Sequence, residues 1–284
     1  MGVGATVLGM AVLSVDLARR RWSDLGIVVL ERRPMGADLG ARAFCLNRGL
    51  PGSFQPDLAG GEGPLACEII RWNDFGEVEA EKLAGRLNHL CAIRGIRILM
   101  LDGPQAWKSR LNGLRHARVS ERQLNTAAKT GLPGMVKPVS YRPFAEFCID
   151  VYDALCRRGW QRLATREEPG SLPERILVES NPYEAWRSLG LKPLPAKRRS
   201  SVSDLATAFG ALRSMISFTV NCPPNHDQLQ AIVGGLPGLA LEERNSEGTR
   251  IVGQPPRREE GHWREGFIVL PVTPKKSPGL RWLD

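Results

Sequence analysis

The chain has no pair of cysteines at CxxC spacing. Its six cysteines, Cys45, Cys67, Cys91, Cys148, Cys156 and Cys222, are scattered, which argues against a zinc knuckle or a thioredoxin-like redox motif. In a chain this long, scattered cysteines among apolar residues read as buried thiols in a reducing compartment. The four histidines, His89, His116, His226 and His262, lack metal-ligand spacing. A membrane span needs ~20 apolar residues, and no segment supplies one. The N-terminal MGVGATVLGMAVLSVD breaks at Asp16 and lacks the basic n-region of a signal peptide. Residues 1–9 therefore read as a leader, Met10 is a second candidate start, and the cytoplasm is the expected location. There are no internal repeats.

What the chain does carry is positive charge. Against 30 Asp+Glu stand 39 Lys+Arg, a formal net charge of +9 over 284 residues. That excess favours a polyanionic partner such as nucleic acid, although a basic protein without such a partner has the same composition. The length allows one large domain or two small ones.

The informative pattern is an apolar run that ends in a carboxylate. Ile96–Pro104 (IRILMLDGP) reads as a buried strand stopped by Gly-Pro, with Asp102 at its carboxyl end, where open α/β sheets place ligands. MAVLSVD (Met10–Asp16) ends on Asp16, and RILVES (Arg175–Ser180) carries Glu179. Strands are also expected at Leu25–Glu31 and Pro64–Ile70, the first paired as a hairpin with Met10–Val15. Apolar spacing through Gly76–Arg94 predicts a helix stopped by Gly95, so the element order begins β-β-β-α-β. Helices are further predicted at Phe144–Arg158, after Pro182, at Ser203–Phe218 with Ser203 as N-cap, and as a short last element at Asn225–Gly234. Phe267–Val272 reads as a final edge strand limited by Pro271. The expected organisation is a single domain over 10–272, with irregular insertions near 32–60 and 242–266 and a tail over 273–284.

Carboxylates are hard oxygen ligands, and several converging on one point suit Mg²⁺ or Mn²⁺. Such ions activate water and stabilise the leaving oxygen in phosphodiester hydrolysis. The candidate ligands, and so the candidate catalytic residues, are Asp16, Asp102, Glu179 and Asp227, the last near the start of the final helix. Each alone also reads as a turn former, a helix cap or a favourable charge on a helix dipole. The repetition of three such endings in one chain is what sets them apart.

Five short segments, MAVLSVDLA, LMLDGP, ILVESNPYEAWRSLG, NHDQLQAIVGG and WREGFIVLP, occur in that order between about Met10 and Pro271. Together they resemble the predicted nucleases of ribonuclease H-like fold catalogued as a domain of unknown function, DUF four-two-nine. The resemblance implies a mixed five-stranded sheet, three antiparallel strands first, flanked by helices, and metal-dependent phosphodiester cleavage. It matches Asp16 to a first-strand metal ligand, Asp102 to the Asp of an Asp-Gly-Pro turn, Glu179 to the Glu of a Glu-x-x-Pro motif, and Asp227 to the acid of the last helix. One departure is Gln230, where related resolvase-like nucleases often carry a second aspartate. Gly234-Gly235 and Pro237 also shorten the last helix relative to the usual pattern.

Basic residues after Asp102, notably Arg118, Arg122 and Lys129, are candidates for phosphate binding, as are Lys197 and Arg198 beside Arg199. A solvated face is the bland alternative for both groups. Trp22, Trp107 and Trp186 follow carboxylate motifs and could stack on bases, although core packing is the commoner use. His226, next to Asp227, is the candidate proton shuttle. Glu265 is a possible fifth carboxylate, with an exposed salt-bridge role favoured. The leading expectation is a Mg²⁺- or Mn²⁺-dependent nuclease acting on DNA or RNA. Its alternatives are an inactive nucleic-acid-binding module of the same fold, motivated by Gln230, and an actin/sugar-kinase-like phosphotransferase. The last is disfavoured because LARRRW, not a Gly-rich phosphate loop, follows Asp16.

Overall fold

Met10–Asp16 (β1) is flanked on both sides by hydrogen-bonded strands, and its inner residues Val12, Leu13 and Val15 are fully buried. A strand covered on both faces reads as a continuous apolar run rather than an alternation, which is why this segment was recognisable. The computed structural model describes residues 10–32, 65–166 and 172–273. The expected leader over 1–9, nearly all of the insertion at 32–60, and the tail beyond Thr273 lie outside the described residues.

The strands that follow are β2 (Gly26–Arg32), β3 (Leu65–Ile70), β4 (Ile98–Asp102), the two-residue β5 (Lys129–Thr130), β6 (Val136–Lys137) and β7 (Gln161–Arg162), then β8 (Ile176–Ser180), β9 (Phe218–Val220), β10 (Thr249–Glu259) and β11 (His262–Pro271). The helices are α1 (Ala80–Arg94), α2 (Val119–Leu124), α3 (Arg142–Arg157), α4 (Pro182–Ser188), α5 (Val202–Met215) and α6 (His226–Glu242). The main sheet runs β10-β11-β8-β4-β1-β2-β3-β9, with β7 added beside β8. β1, β2 and β3 form an antiparallel meander, and β4 and β8 lie parallel to β1.

The expected five strands thus form the centre of the sheet, but among the described residues it has nine strands rather than five. The stretch 242–266, expected to be irregular, mostly forms the β10–β11 hairpin. Pro255 and Pro256 fall where the pairing slips between Gln254 and Arg257. β10 is the outermost strand, and an edge with a bulge tolerates residues that cannot donate to the ladder. β11 is correspondingly not an edge strand, because it sits between β10 and β8.

One apolar layer lies between the sheet and helices α1 and α3, and includes Leu13, Val15, Leu99, Leu101, Leu87 and Val151. The opposite layer lies beneath α4 and α6, and includes Val12, Met100, Val178, Trp186 and Ile232. Fully burying a leucine or valine contributes ~1.5–3 kcal/mol, so these two layers hold the sheet between its helices. α6 runs to Glu242, well past the expected stop at Gly234. Its glycines are contact points instead of terminators. A side chain at Gly235 would come within 2.7 Å of Ser14, and one at Gly238 within 2.8 Å of Met100. The glycine face lets the helix axis settle close to the sheet. At its start, Asn225 and Gln228 form a reciprocal capping box, which satisfies two otherwise orphan donors. α5 is capped by Ser201 with Asp204 three residues on, rather than by Ser203.

Candidate active site

Register decides which of the predicted carboxylates meet. Asp16 on β1 pairs with Asp102 on β4, and Asp102 pairs with Ser180 on β8. Partners on one rung of a parallel ladder project to the same face of the sheet. Asp16, Asp102 and Ser180 therefore share a row at the carboxyl ends of three adjacent strands, on the face covered by α6. Glu179 pairs with Leu101, which pairs with Val15. That row is one residue earlier, so Glu179 belongs to the other face, under α1 and α3.

α6 brings Asp227 to the row. Gly26 is opposite Asp16 in the β1–β2 hairpin, and a side chain there would collide with the backbone carbonyl of Asp227. The absence of a Cβ at Gly26 is what allows the first turn of α6 to approach. Asp227 then receives the ammonium of Lys197, which also contacts Asp24 Oδ1 at 3.0 Å. His226 bridges the helix to the loop before it: its Nε2 donates to the Pro195 carbonyl at 3.0 Å, and its Nδ1 lies 3.3 Å from Asp227 Oδ1. The Nε2 bond makes His226 a clamp on the Lys197 loop.

Burial dominates the electrostatics of the Asp16–Asp102 pair. Burial, then the charges of Asp102 and Asp227, push the Asp16 carboxyl well above its usual 3.8, against the pull of Lys197. Burial raises Asp102 to about 6, with the charge of Glu179 adding to it and a hydrogen bond from Asp16 opposing it. Two carboxyls within hydrogen-bond reach in a desolvated row share a proton because both cannot ionise cheaply. A cavity of about 350 Å³ opens above them, lined by Asp16, Asp24, Asp227, Arg19, Arg20 and Lys197, with Phe144 at the start of α3 forming its apolar wall. Asp102 lies behind Asp16 and does not line the cavity.

Whether this row suits a divalent ion can be tested on its donors. Among the described residues no group of three His, Cys, Asp or Glu side chains is arranged around one point. Two adjacent carboxylates are nevertheless what a Mg²⁺ site commonly takes from a protein, the remaining positions going to waters and substrate phosphates. Ser180, on the same rung, has a buried hydroxyl without a hydrogen-bond partner, a group able to hold one such water. Asp16 and Asp102 are the residues that would hold such an ion.

Glu179 is committed elsewhere. Both guanidinium NH₂ groups of Arg118 donate to it at 2.6 Å, and the backbone N–H of Gln105 donates at 3.0 Å. Arg118 also donates to Glu121, whose carboxylate takes Thr130 as well. Glu265, which sequence favoured as an exposed residue, is fully buried and accepts from Ser109, Asn112 and Val119. Arg118 is 1% exposed, so its guanidinium faces this buried network and not solvent. Lys129 donates to the Glu121 and Thr126 carbonyls, and Arg122 is exposed on α2, which packs on the β10–β11 hairpin away from the cavity. Arg198 is exposed beside Lys197. Trp22, Trp107 and Trp186 are buried core residues.

Sequence reasoning passed over Arg19, Arg20, Asp24 and Phe144 as cavity residues. The one available signal was the arginine run immediately after a strand-end aspartate. It passed over Glu121 entirely, because nothing local marks a glutamate that will be buried by Arg118.

No helix among the described residues is long and apolar enough to cross a membrane. No family model matches the chain, nor does any curated protein sequence. Among solved structures it is similar to the Thermus thermophilus RuvC structure, at 11% identity over 82% of this chain and 92% of that chain, with a TM-score of 0.33. It is also similar to T. thermophilus RuvC in complex with Holliday junction substrate, at 11% identity over 84% of this chain and 92% of that chain, with a TM-score of 0.28.

Proposed function

We propose that the chain is a metal-dependent nuclease of ribonuclease H-like fold whose Mg²⁺ or Mn²⁺ is held by Asp16 and Asp102. The observation that carries this reading is the shared rung. Two carboxyls are brought together at the carboxyl ends of adjacent parallel strands, burial raises both and the charge of Asp102 raises Asp16 further, and a bound dication would favour their ionised forms. When bound, such an ion supplies an activated water and stabilises the developing charge on the leaving oxygen. The chain's own residues do the rest. Arg19, Arg20 and Lys197 rim the cavity over an acidic floor, an arrangement that draws in a phosphate backbone and seats one phosphate over Asp16. Arg198 extends the basic rim outward. Asp227 fixes Lys197, and Glu179 with Arg118 anchors the segment after Asp102; neither carboxylate is needed as a ligand to the ion in this reading.

The test is cleavage. Purified protein with Mn²⁺ should nick or degrade DNA or RNA, and Asp16→Asn or Asp102→Asn should each abolish it. Cleavage that survives both changes would overturn the site. A second reading, a binding module without catalysis, is favoured by the occupation of Asp227 by Lys197; salt-sensitive binding with no cleavage in any divalent metal would select it.

A further inference from the structure

We propose that Lys197 is a permanent, protein-borne cation of this site, so that the site takes one divalent ion where a two-ion arrangement would place a second. The inference rests on the reading above and deepens it. Two-metal phosphodiester sites hold their ions ~3.5–4 Å apart, one serving the attacking oxygen and the other the leaving oxygen. Here the carboxylates separate into two sets. Asp16 and Asp102 hydrogen-bond to each other and form no ion pair among the described residues, while Asp227 and Asp24 both touch the Lys197 ammonium. The other oxygen of Asp227 lies 3.3 Å from His226 Nδ1, so Lys197 holds the oxygen that an ion would otherwise take.

A later polar position on α6 does not compete with Lys197 for these carboxylates. Gln230, one turn after Asp227, accepts a hydrogen bond from the indole N–H of Trp186 at 2.8 Å. Its amide is turned to the α4 side, away from the cavity, and Trp186 is fully buried. The neutral Gln230 fits this site, because the single charge of the Lys197 ammonium is already balanced by Asp227 and Asp24.

The lysine is held in place as a built-in cation should be. It sits in the short turn Lys197–Arg199, which is tied down by His226 on Pro195 and by the Ser200 hydroxyl on the same carbonyl at 2.9 Å. Its side chain remains 49% exposed, so the ammonium keeps a face toward the cavity and a bound phosphate. In that position its charge would stabilise negative charge developing on a phosphate, while Asp16 and Asp102 would hold the one divalent ion.

The experiment is a Mn²⁺ titration followed by electron paramagnetic resonance, which counts bound ions without requiring turnover. The full chain should bind one Mn²⁺, and Asp102→Asn should lose it. Lys197→Met should release Asp227 and Asp24 and bind two, whereas Lys197→Arg should remain at one. Circular dichroism establishes that each variant is folded, and the count on the unaltered protein tests the idea even if a variant is not. Two ions on the unaltered protein, or one on folded Lys197→Met, would overturn this inference and leave the nuclease reading standing. No bound ion at all, with no cleavage, would overturn both.

Discussion

Replacing Asp102 by asparagine should make the protein more stable at neutral pH while destroying its site. Asp102 titrates at about 6 in the folded protein against 3.8 ordinarily. At 1.36 kcal/mol per pH unit, that difference corresponds to about 3 kcal/mol of unfavourable energy for holding the charge in the fold. The carboxyl retains some contact with water, which screens part of the repulsion, so about 1–3 kcal/mol is the expected gain on neutralising it. The sign follows from proton binding. Between pH 3.8 and about 6 the folded state holds a proton that the unfolded chain has released, so this group's contribution is favourable at low pH and is lost as pH rises through that window. Asparagine cannot ionise and removes the loss. Thermal unfolding in EDTA at pH 7.5 should show Asp102→Asn above the unaltered protein, by roughly 2–10 °C in Tm for a domain of this size. At pH 4 the two should nearly coincide. Adding Mn²⁺ at pH 7.5 should then stabilise the unaltered protein and leave the variant unmoved. A variant that is less stable at pH 7.5, or equally stabilised at both pH values, would refute the account of Asp102 as a carboxyl whose charge the fold disfavours by burial.

The remaining predictions follow from the same geometry. Mn²⁺ affinity measured by calorimetry should fall as pH drops below about 6, by up to roughly tenfold per pH unit, because the ion must displace the shared proton; a flat profile from pH 5 to 8 would contradict this. Gly26→Ala should push the start of α6 away from β2, costing about 1–3 kcal/mol in denaturant unfolding and lowering cleavage, and unchanged stability would show that α6 can move freely. Arg118→Met should cost about 3–5 kcal/mol, because it strands the Glu179 and Glu121 carboxylates in the interior, and Arg118→Lys should rescue little, since one ammonium cannot reproduce the paired bonds to Glu179. Arg19→Ala with Arg20→Ala should flatten the dependence of nucleic-acid binding on salt by about one charge per residue, and an unchanged slope would remove these arginines from the interface.

The sequence by itself determined the central strands and their carboxylate ends. Apolar runs such as MAVLSVD and RILMLD can only be buried strands when Gly, Pro or Asp closes them, because their pattern is set by burial on both faces. The start of α6 was equally legible, since the Asn225-His226-Asp227-Gln228 segment carries its own capping chemistry. Tertiary structure decided the rest. Asp102 and Glu179 look alike in sequence as acids at the end of strands, yet a one-residue difference in register sends them to opposite faces, and register is a property of pairing between segments roughly eighty residues apart. The length of α6 depended on what its glycines face, and a glycine against Ser14 or Met100 costs less than the contact it permits. The buried state of Arg118 and Glu265 was invisible for a similar reason: a charge can leave water only when its partners arrive from other elements, and those partners are assembled by the fold.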